Sequence, residues 1–171
     1  HWEPETKEHL QGKKLIASWF DYSNYQTEIE KIIENKYIAD VSVSYLEILK
    51  HGGQLYNYVI EFQCSPISFQ LFTEKNSFYL KNGYLPIWIF GGYYAKNTET
   101  YHWWKDRYNI QKSKKIERHI WKQKQPVLYL KNQTLYMGYF KNRWNASTLG
   151  WYNLISISYQ TPKRILDCFV Y

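Results

Sequence analysis

The chain has 171 residues, 44% hydrophobic, 22% charged and 20% aromatic, with a formal charge of +7. That length predicts one compact domain with a small appendage, and so many large rings argue against disorder by supplying buriable area. No apolar run approaches the ~20 residues of a membrane helix and no signal-peptide pattern opens the chain, so no membrane partner is expected.

Residues 4–22 predict a helix: Pro4 suits a first turn, Glu5 and Glu8 suit its positive end, and Leu10, Ile16, Ala17 and Phe20 share one face of the wheel. Glu5, His9 and Lys13 recur at i, i+4 and i+8 along that same side, so they lie beyond the rim of a core or look into a site. Residues 25–33 and 37–49 predict two strands, the second alternating Val41, Val43 and Tyr45 against Asp40, Ser42 and Ser44. His51-Gly52-Gly53 predicts a turn into a third strand over 54–63. Ser65-Pro66-Ile67-Ser68 opens a helix reaching about Asn82, with Ser68 as its cap and Gly83 closing it. Residues 84–90 predict a short buried strand whose Trp88 and Phe90 fill the core. The order α-β-β-β-α-β specifies a mixed sheet flanked by helices, an α/β (α+β) sandwich. Beyond it, residues 100–124 predict a helix of poor apolar period, 126–131 and 134–140 a hairpin around Asn132-Gln133, and 150–159 a further strand. Residues 1–95 are expected to form the core and 96–171 a basic, aromatic-rich extension packed on it.

Charge divides the chain. Residues 1–95 hold 8 Lys/Arg against 11 Asp/Glu, whereas residues 96–171 hold 14 against 4. The densest cationic run, Lys112, Lys114, Lys115, Arg118, Lys122 and Lys124, follows Trp103, Trp104 and Tyr108. Cations neutralise phosphates and rings stack on unpaired bases, so Lys112, Lys114, Lys115, Arg118, Trp103 and Trp104 are candidate nucleic-acid contacts. The alternative is a solvated basic helix over core-facing indoles. Cys64 and Cys168 make neither a metal-type cluster nor a disulfide framework, which predicts a reduced, cytoplasmic protein; Cys64 alternates away from its neighbours Glu61 and Gln63 and is assigned to packing. His1 in place of Met predicts an excised fragment.

The chemistry candidates converge on two adjacent strands. Glu61 and Gln63 project from one strand face, and a tight hairpin brings Asp40 of the preceding strand near Glu61. Two converging carboxylates repel unless a cation lies between them, and hard oxygen donors suit Mg²⁺ or Mn²⁺. Such an ion polarises a phosphodiester and acidifies its bound water. Glu5 offers a third carboxylate from the first helix.

The stretch IEFQCSPIS (60–68), followed by YLPIWIFGG (84–92), resembles the competence protein CoiA family, as do ETKEHLQGKKLIASWF (5–20), YIADVSV (37–43) and, more loosely, PVLYL (126–130). That family looks like a member of the PD-(D/E)XK nuclease superfamily, which implies a restriction-endonuclease-like α-β-β-β-α-β core. The resemblance implies metal ligation by Asp40 and Glu61, with Ala39 where the superfamily name expects Pro. It aligns Glu5, His9 and Lys13 with the family's helical Glu-x₃-His-x₃-Lys pattern. Gln63 stands where most of the superfamily places Lys, and a neutral amide lends no positive charge to the developing anion. Lys13 is the expected substitute for that cation, and His9 a general base, a phosphate contact or an ordering partner of Glu5. The implied function is metal-dependent DNA hydrolysis during natural transformation and recombination, on single-stranded or branched intermediates and alongside recombination proteins. The alternatives are a catalytically degenerate DNA-binding module that scaffolds recombination, which Gln63 favours, and a restriction-type or transposon-associated nuclease. In the family a Cys-containing segment is expected ahead of His1.

Overall fold

A computed structural model describes residues 5–22, 24–95, 108–109, 115–123, 125, 127–139, 151–157 and 166. In chain order the elements are α1 (Lys7–Ser18), β1 (Tyr25–Ile33), β2 (Tyr37–Leu49), β3 (Gly52–Gln63), α2 (Phe69–Lys81), β4 (Leu85–Phe90), α3 (Gly92–Ala95), β5 (Tyr108–Asn109), α4 (Lys115–Lys122), β6 (Val127–Lys131), β7 (Thr134–Tyr139) and β8 (Trp151–Ile157). The first six reproduce the expected α-β-β-β-α-β order, and the fold is a mixed α+β one with helices flanking a mixed sheet. Two compact units divide the chain: His1–Phe62 with Gln70–Trp88, and Gln63–Phe69 with Ile89–Tyr171.

In the first unit the strand order is β1-β2-β3-β4. β1 and β2 pair antiparallel from Tyr25↔Tyr45 to Ile33↔Tyr37, and β2 and β3 from Leu49↔Gly52 to Val41↔Ile60. Cross-strand rings reinforce this register: Tyr25 stacks on Tyr45 at 4.9 Å between centroids, and Tyr45 on Tyr56 at 6.4 Å. The two helices lie on opposite faces. α1 touches Phe62 and α2 touches Glu61, and consecutive strand residues project to opposite sides. Under α2, Ile33, Ala39, Val59 and Tyr79 form a buried cluster.

Helix α1 is shorter than the expected 4–22, and Pro4 lies outside the described residues. Thr6 is its cap, accepting from the His9 amide at 3.2 Å, because a threonine hydroxyl satisfies a first-turn N–H that a proline ring cannot. Leu10 is exposed rather than core-facing, since the buried stripe runs through Gly12, Lys13 and Ile16. The turn before β3 is Lys50–His51; both glycines belong to the strand, with Gly52 at φ +138° where a side chain is strained. Helix α2 begins after Ser68, and Gly83 (φ +81°) follows its last turn.

In the second unit β4 pairs parallel with β6 through Ile89↔Leu128 and Phe90↔Tyr129, and the strand order continues β4-β6-β7-β8-β5. The β6–β7 hairpin turns at Asn132 and Gln133, both left-handed at φ +49° and +62°, as a two-residue hairpin favours. The helix expected over 100–124 is not continuous: Tyr108–Asn109 pairs with β8, and only Lys115–Lys122 is helical among the described residues. Where the apolar period is poor, backbone pairing with a neighbouring strand wins over local helix propensity. Glu117 is fully buried on α4 and accepts from the Tyr129 hydroxyl at 2.5 Å. Cys64 is half-buried, while Cys168 lies outside the described residues. No described helix is long and apolar enough to cross a membrane.

Candidate active site

The site begins with a close approach. A Cβ built on Gly12 would fall 2.0 Å from Phe62 Cε1, so only glycine lets α1 lie against β3 here. One turn earlier His9 stacks its ring on Phe62 with centroids 5.9 Å apart and planes 21° from parallel. That contact fixes the imidazole over the point where the β2–β3 ladder ends. Asp40, one residue beyond Val41↔Ile60, turns its carboxylate back to accept at Oδ2 from the Phe62 amide at 2.8 Å and to meet His9 Nε2 at 3.1 Å.

Glu5 joins the same chain of charges. Its carboxylate lies 2.6 Å from His9 Nδ1 and also pairs with the Lys13 ammonium. Lys13, only 3% exposed, reaches Glu30 of β1 at 2.7 Å. With a carboxylate at each ring nitrogen, the imidazolium is the form of His9 that donates to both. Burial opposes that charge, but the hydrogen bond and charge of Asp40, helped by Glu5, win and raise His9 above its ordinary range. Lys13 follows the same balance: burial lowers it, Glu30 and Glu5 outweigh burial, and its pKa rises.

Glu61, next in register after Val41↔Ile60 and so opposite Asp40, turns a nearly fully buried carboxylate toward α2. Its Oε2 receives the Lys75 ammonium at 2.8 Å, and its Oε1 accepts from the Tyr79 hydroxyl. Lys75 and Tyr79 are i and i+4 on α2, so one helix face presents both. Burial pushes the Glu61 carboxyl up, Lys75 pulls it down, and the Asp40 charge pushes up again, leaving it raised. Tyr79 is raised by burial and by the Glu61 charge. Asp40 is thus felt from both sides: by His9 and Lys13 of α1, and by Glu61 and Tyr79 toward α2.

Gln63 is half-buried, and its amide donates to the Ser65 carbonyl at 2.6 Å. The candidate DNA contacts divide. Lys115 and Arg118 are exposed on α4, with the Lys115 ammonium 4.5 Å from the Phe69 ring centroid, while Lys112, Lys114, Trp103 and Trp104 lie outside the described residues. Sequence reasoning missed Lys75, Tyr79 and Glu30. The first two had a signal, because Phe72, Lys75 and Tyr79 follow the i, i+3, i+7 stripe of a buried helix face and place a lysine within it. Glu30 had none.

The family model for the competence protein CoiA nuclease-like domain matches residues 5–142, a span that contains every one of these side chains. The chain belongs to that family. CoiA membership makes it a competence-associated, nuclease-like domain. No curated protein and no solved structure matches the chain.

Proposed function

We propose that this CoiA-family domain is a metal-dependent nuclease of the PD-(D/E)XK type that hydrolyses DNA phosphodiester bonds during natural transformation and recombination. The observation that carries the reading is the placement of Asp40 at the end of the β2–β3 ladder, across from Glu61 and with both of its hydrogen bonds on Oδ2. The donor chemistry fits a hard cation such as Mg²⁺ or Mn²⁺: carboxylate oxygens keep a second lone-pair direction beyond the bonds described. Among the described residues no group of three or more His, Cys, Asp or Glu is arranged to hold a metal ion, so the protein's own ligands would be the two carboxylates. Two protein carboxylates with water and substrate phosphate as the remaining ligands is the usual Mg²⁺ arrangement. Bound there, the ion supplies polarisation of the phosphate and a more acidic water.

The protein's own residues supply the rest. In hydrolysis a water oxygen gives up a proton as it bonds to phosphorus, the bond to the leaving oxygen breaks, and that oxygen takes up one proton, so that one water is divided between the two products. Lys13 provides fixed positive charge beside Asp40, the cation that Gln63 does not supply, and steadies the developing anion. His9, held by Glu5, orients Asp40. Lys75 and Tyr79 fix both oxygens of Glu61. Lys112, Lys114, Lys115 and Arg118, with Trp103 and Trp104, serve the DNA backbone and unpaired bases.

A second reading, a catalytically degenerate module that binds DNA as a scaffold, draws on Gln63 spending its amide on Ser65 and on Glu61 being held at both oxygens. Cleavage of linear, single-stranded and branched DNA in Mg²⁺ or Mn²⁺, by the wild type and by Asp40→Ala, separates the two. A nuclease cuts at least one substrate and loses that activity with Asp40; a scaffold binds all three and cuts none.

A further inference from the structure

Of the five described non-glycine residues with positive φ, four sit in hairpin turns: Glu34, Asn35, Asn132 and Gln133. The fifth is Glu30 at φ +58°, in the middle of the nine-residue strand β1. Glutamate has no side-chain preference for that region, and such backbone persists only where its surroundings enforce it. The surroundings here are Asp40. The β1–β2 ladder holds Ile29↔Val41 and Lys31↔Ala39, and the Glu30/Asp40 pair between them drops out.

Both strands change face at that gap. Thr27 donates its hydroxyl to the Phe20 carbonyl just after α1, whereas Ile33, an even number of residues along, packs with Tyr79 of α2. On β2, Ala39 packs in the α2 cluster, while Val41 pairs with Ile60, which shares the α1 face with Phe62. A regular strand keeps residues two apart on one side, so the swap is made at Glu30 and Asp40. It is what delivers Asp40 to His9. From the same position the Glu30 carboxylate grips Lys13.

We propose that Glu30 is a positioning residue of this site: its left-handed backbone lets Asp40 turn out of the ladder toward α1, and its carboxylate fixes the Lys13 ammonium beside it. The assignment rests on the nuclease reading above for its kinetic consequence, and on geometry alone for the placement of Asp40. Neither the family match nor any sequence motif points to this residue.

Glu30→Asp and Glu30→Asn test the carboxylate. Both side chains tolerate the left-handed region and differ in charge alone. Glu30→Asn is expected to lower kcat about 10–100-fold with KM within about threefold, and Glu30→Asp to regain about tenfold of that loss. Equal rates for the two variants would overturn the side-chain role. Glu30→Val tests the backbone, since a β-branched residue resists positive φ; Mn²⁺ affinity, read by calorimetry without DNA, is expected to weaken about 10–100-fold. Where Glu30→Val does not fold, Glu30→Ala carries the Mn²⁺ measurement. Unchanged Mn²⁺ affinity would overturn the backbone role. A wild type that binds Mn²⁺ and cuts no DNA overturns the nuclease reading and the kinetic half with it, while the affinities still judge the placement of Asp40. A wild type that binds no Mn²⁺ overturns the metal-dependent reading, and the placement of Asp40 is then judged from crystal structures of the wild type and Glu30→Ala, in which an unmoved Asp40 carboxylate overturns the backbone role.

Discussion

Glu61 is the residue on which the site's charge balance turns, and its partner Lys75 was hidden in an otherwise apolar helix face. The pair is 4% and 14% exposed, so removing one member strands a buried charge. Lys75→Met is expected to lower unfolding free energy by about 3–5 kcal/mol in urea titrations, and Glu61→Gln with Lys75→Met to regain most of it. His9 gives a pH signature. Its pKa is raised above the ordinary 6.5, so the folded state binds its proton more tightly than the unfolded chain does. The resulting stabilisation is complete below 6.5 and is lost as pH rises through the folded-state value. Urea midpoints of the wild type are expected to fall across that window relative to their acid plateau, and His9→Gln to lack that component. At this scale the Glu5, His9, Lys13 series was legible because a four-residue repeat is a helix face, and the register that sets Asp40 opposite Glu61 because a tight hairpin fixes it, whereas the turn of Asp40 out of the ladder toward His9 was not. Glu30 was illegible: nothing in a glutamate's chemistry announces a left-handed backbone, which the closure of the whole sheet around Asp40 imposes.

Elements follow their local signals where one physical cause dominates. β1 spans the expected residues despite its mixed patterning, β2 because alternation and β-branched side chains agree, and α2 stops near Gly83 as a left-handed glycine requires. Helix α1 departs from its wheel. The apolar face drawn through Leu10 loses to a face through Gly12 and Lys13, because Phe62 needs the glycine's missing side chain and the lysine finds two carboxylates. Gly12→Ala tests this. In an exposed helix the change stabilises by about 1 kcal/mol. Here overpacking against Phe62 is expected to reverse the sign and cost about 1–3 kcal/mol in urea unfolding, with His9 displaced from its ring contact. The expected helix over 100–124 failed for the opposite reason. Its pattern carried little information, and the pairing of Tyr108–Asn109 with β8 joins segments more than forty residues apart, a contact that local periodicity does not encode.

Across the whole molecule, composition and architecture pull apart. The acidic residues 1–95 carry every side chain of the candidate site, and the basic residues 96–171 carry the charge suited to a polyanion. On the proposed nuclease reading the two compositions are complementary, because a carboxylate centre repels a polyanion and a cationic segment offsets that repulsion. The order α-β-β-β-α-β was legible because turn residues and period changes mark each boundary, whereas the division into His1–Phe62 with Gln70–Trp88 and Gln63–Phe69 with Ile89–Tyr171 interleaves segments in a way no linear reading reveals. The central claim is that Asp40 and Glu61 act together through a divalent cation. Its most direct test is the single-turnover rate of DNA cleavage by the wild type, Asp40→Asn and Glu61→Gln, in Mg²⁺ or Mn²⁺ and after chelation. The expected result is ion-dependent cleavage that chelation abolishes and that each substitution slows by about 100-fold or more. Cleavage that persists after chelation or survives both substitutions, or a folded wild type that cuts no DNA, would contradict it.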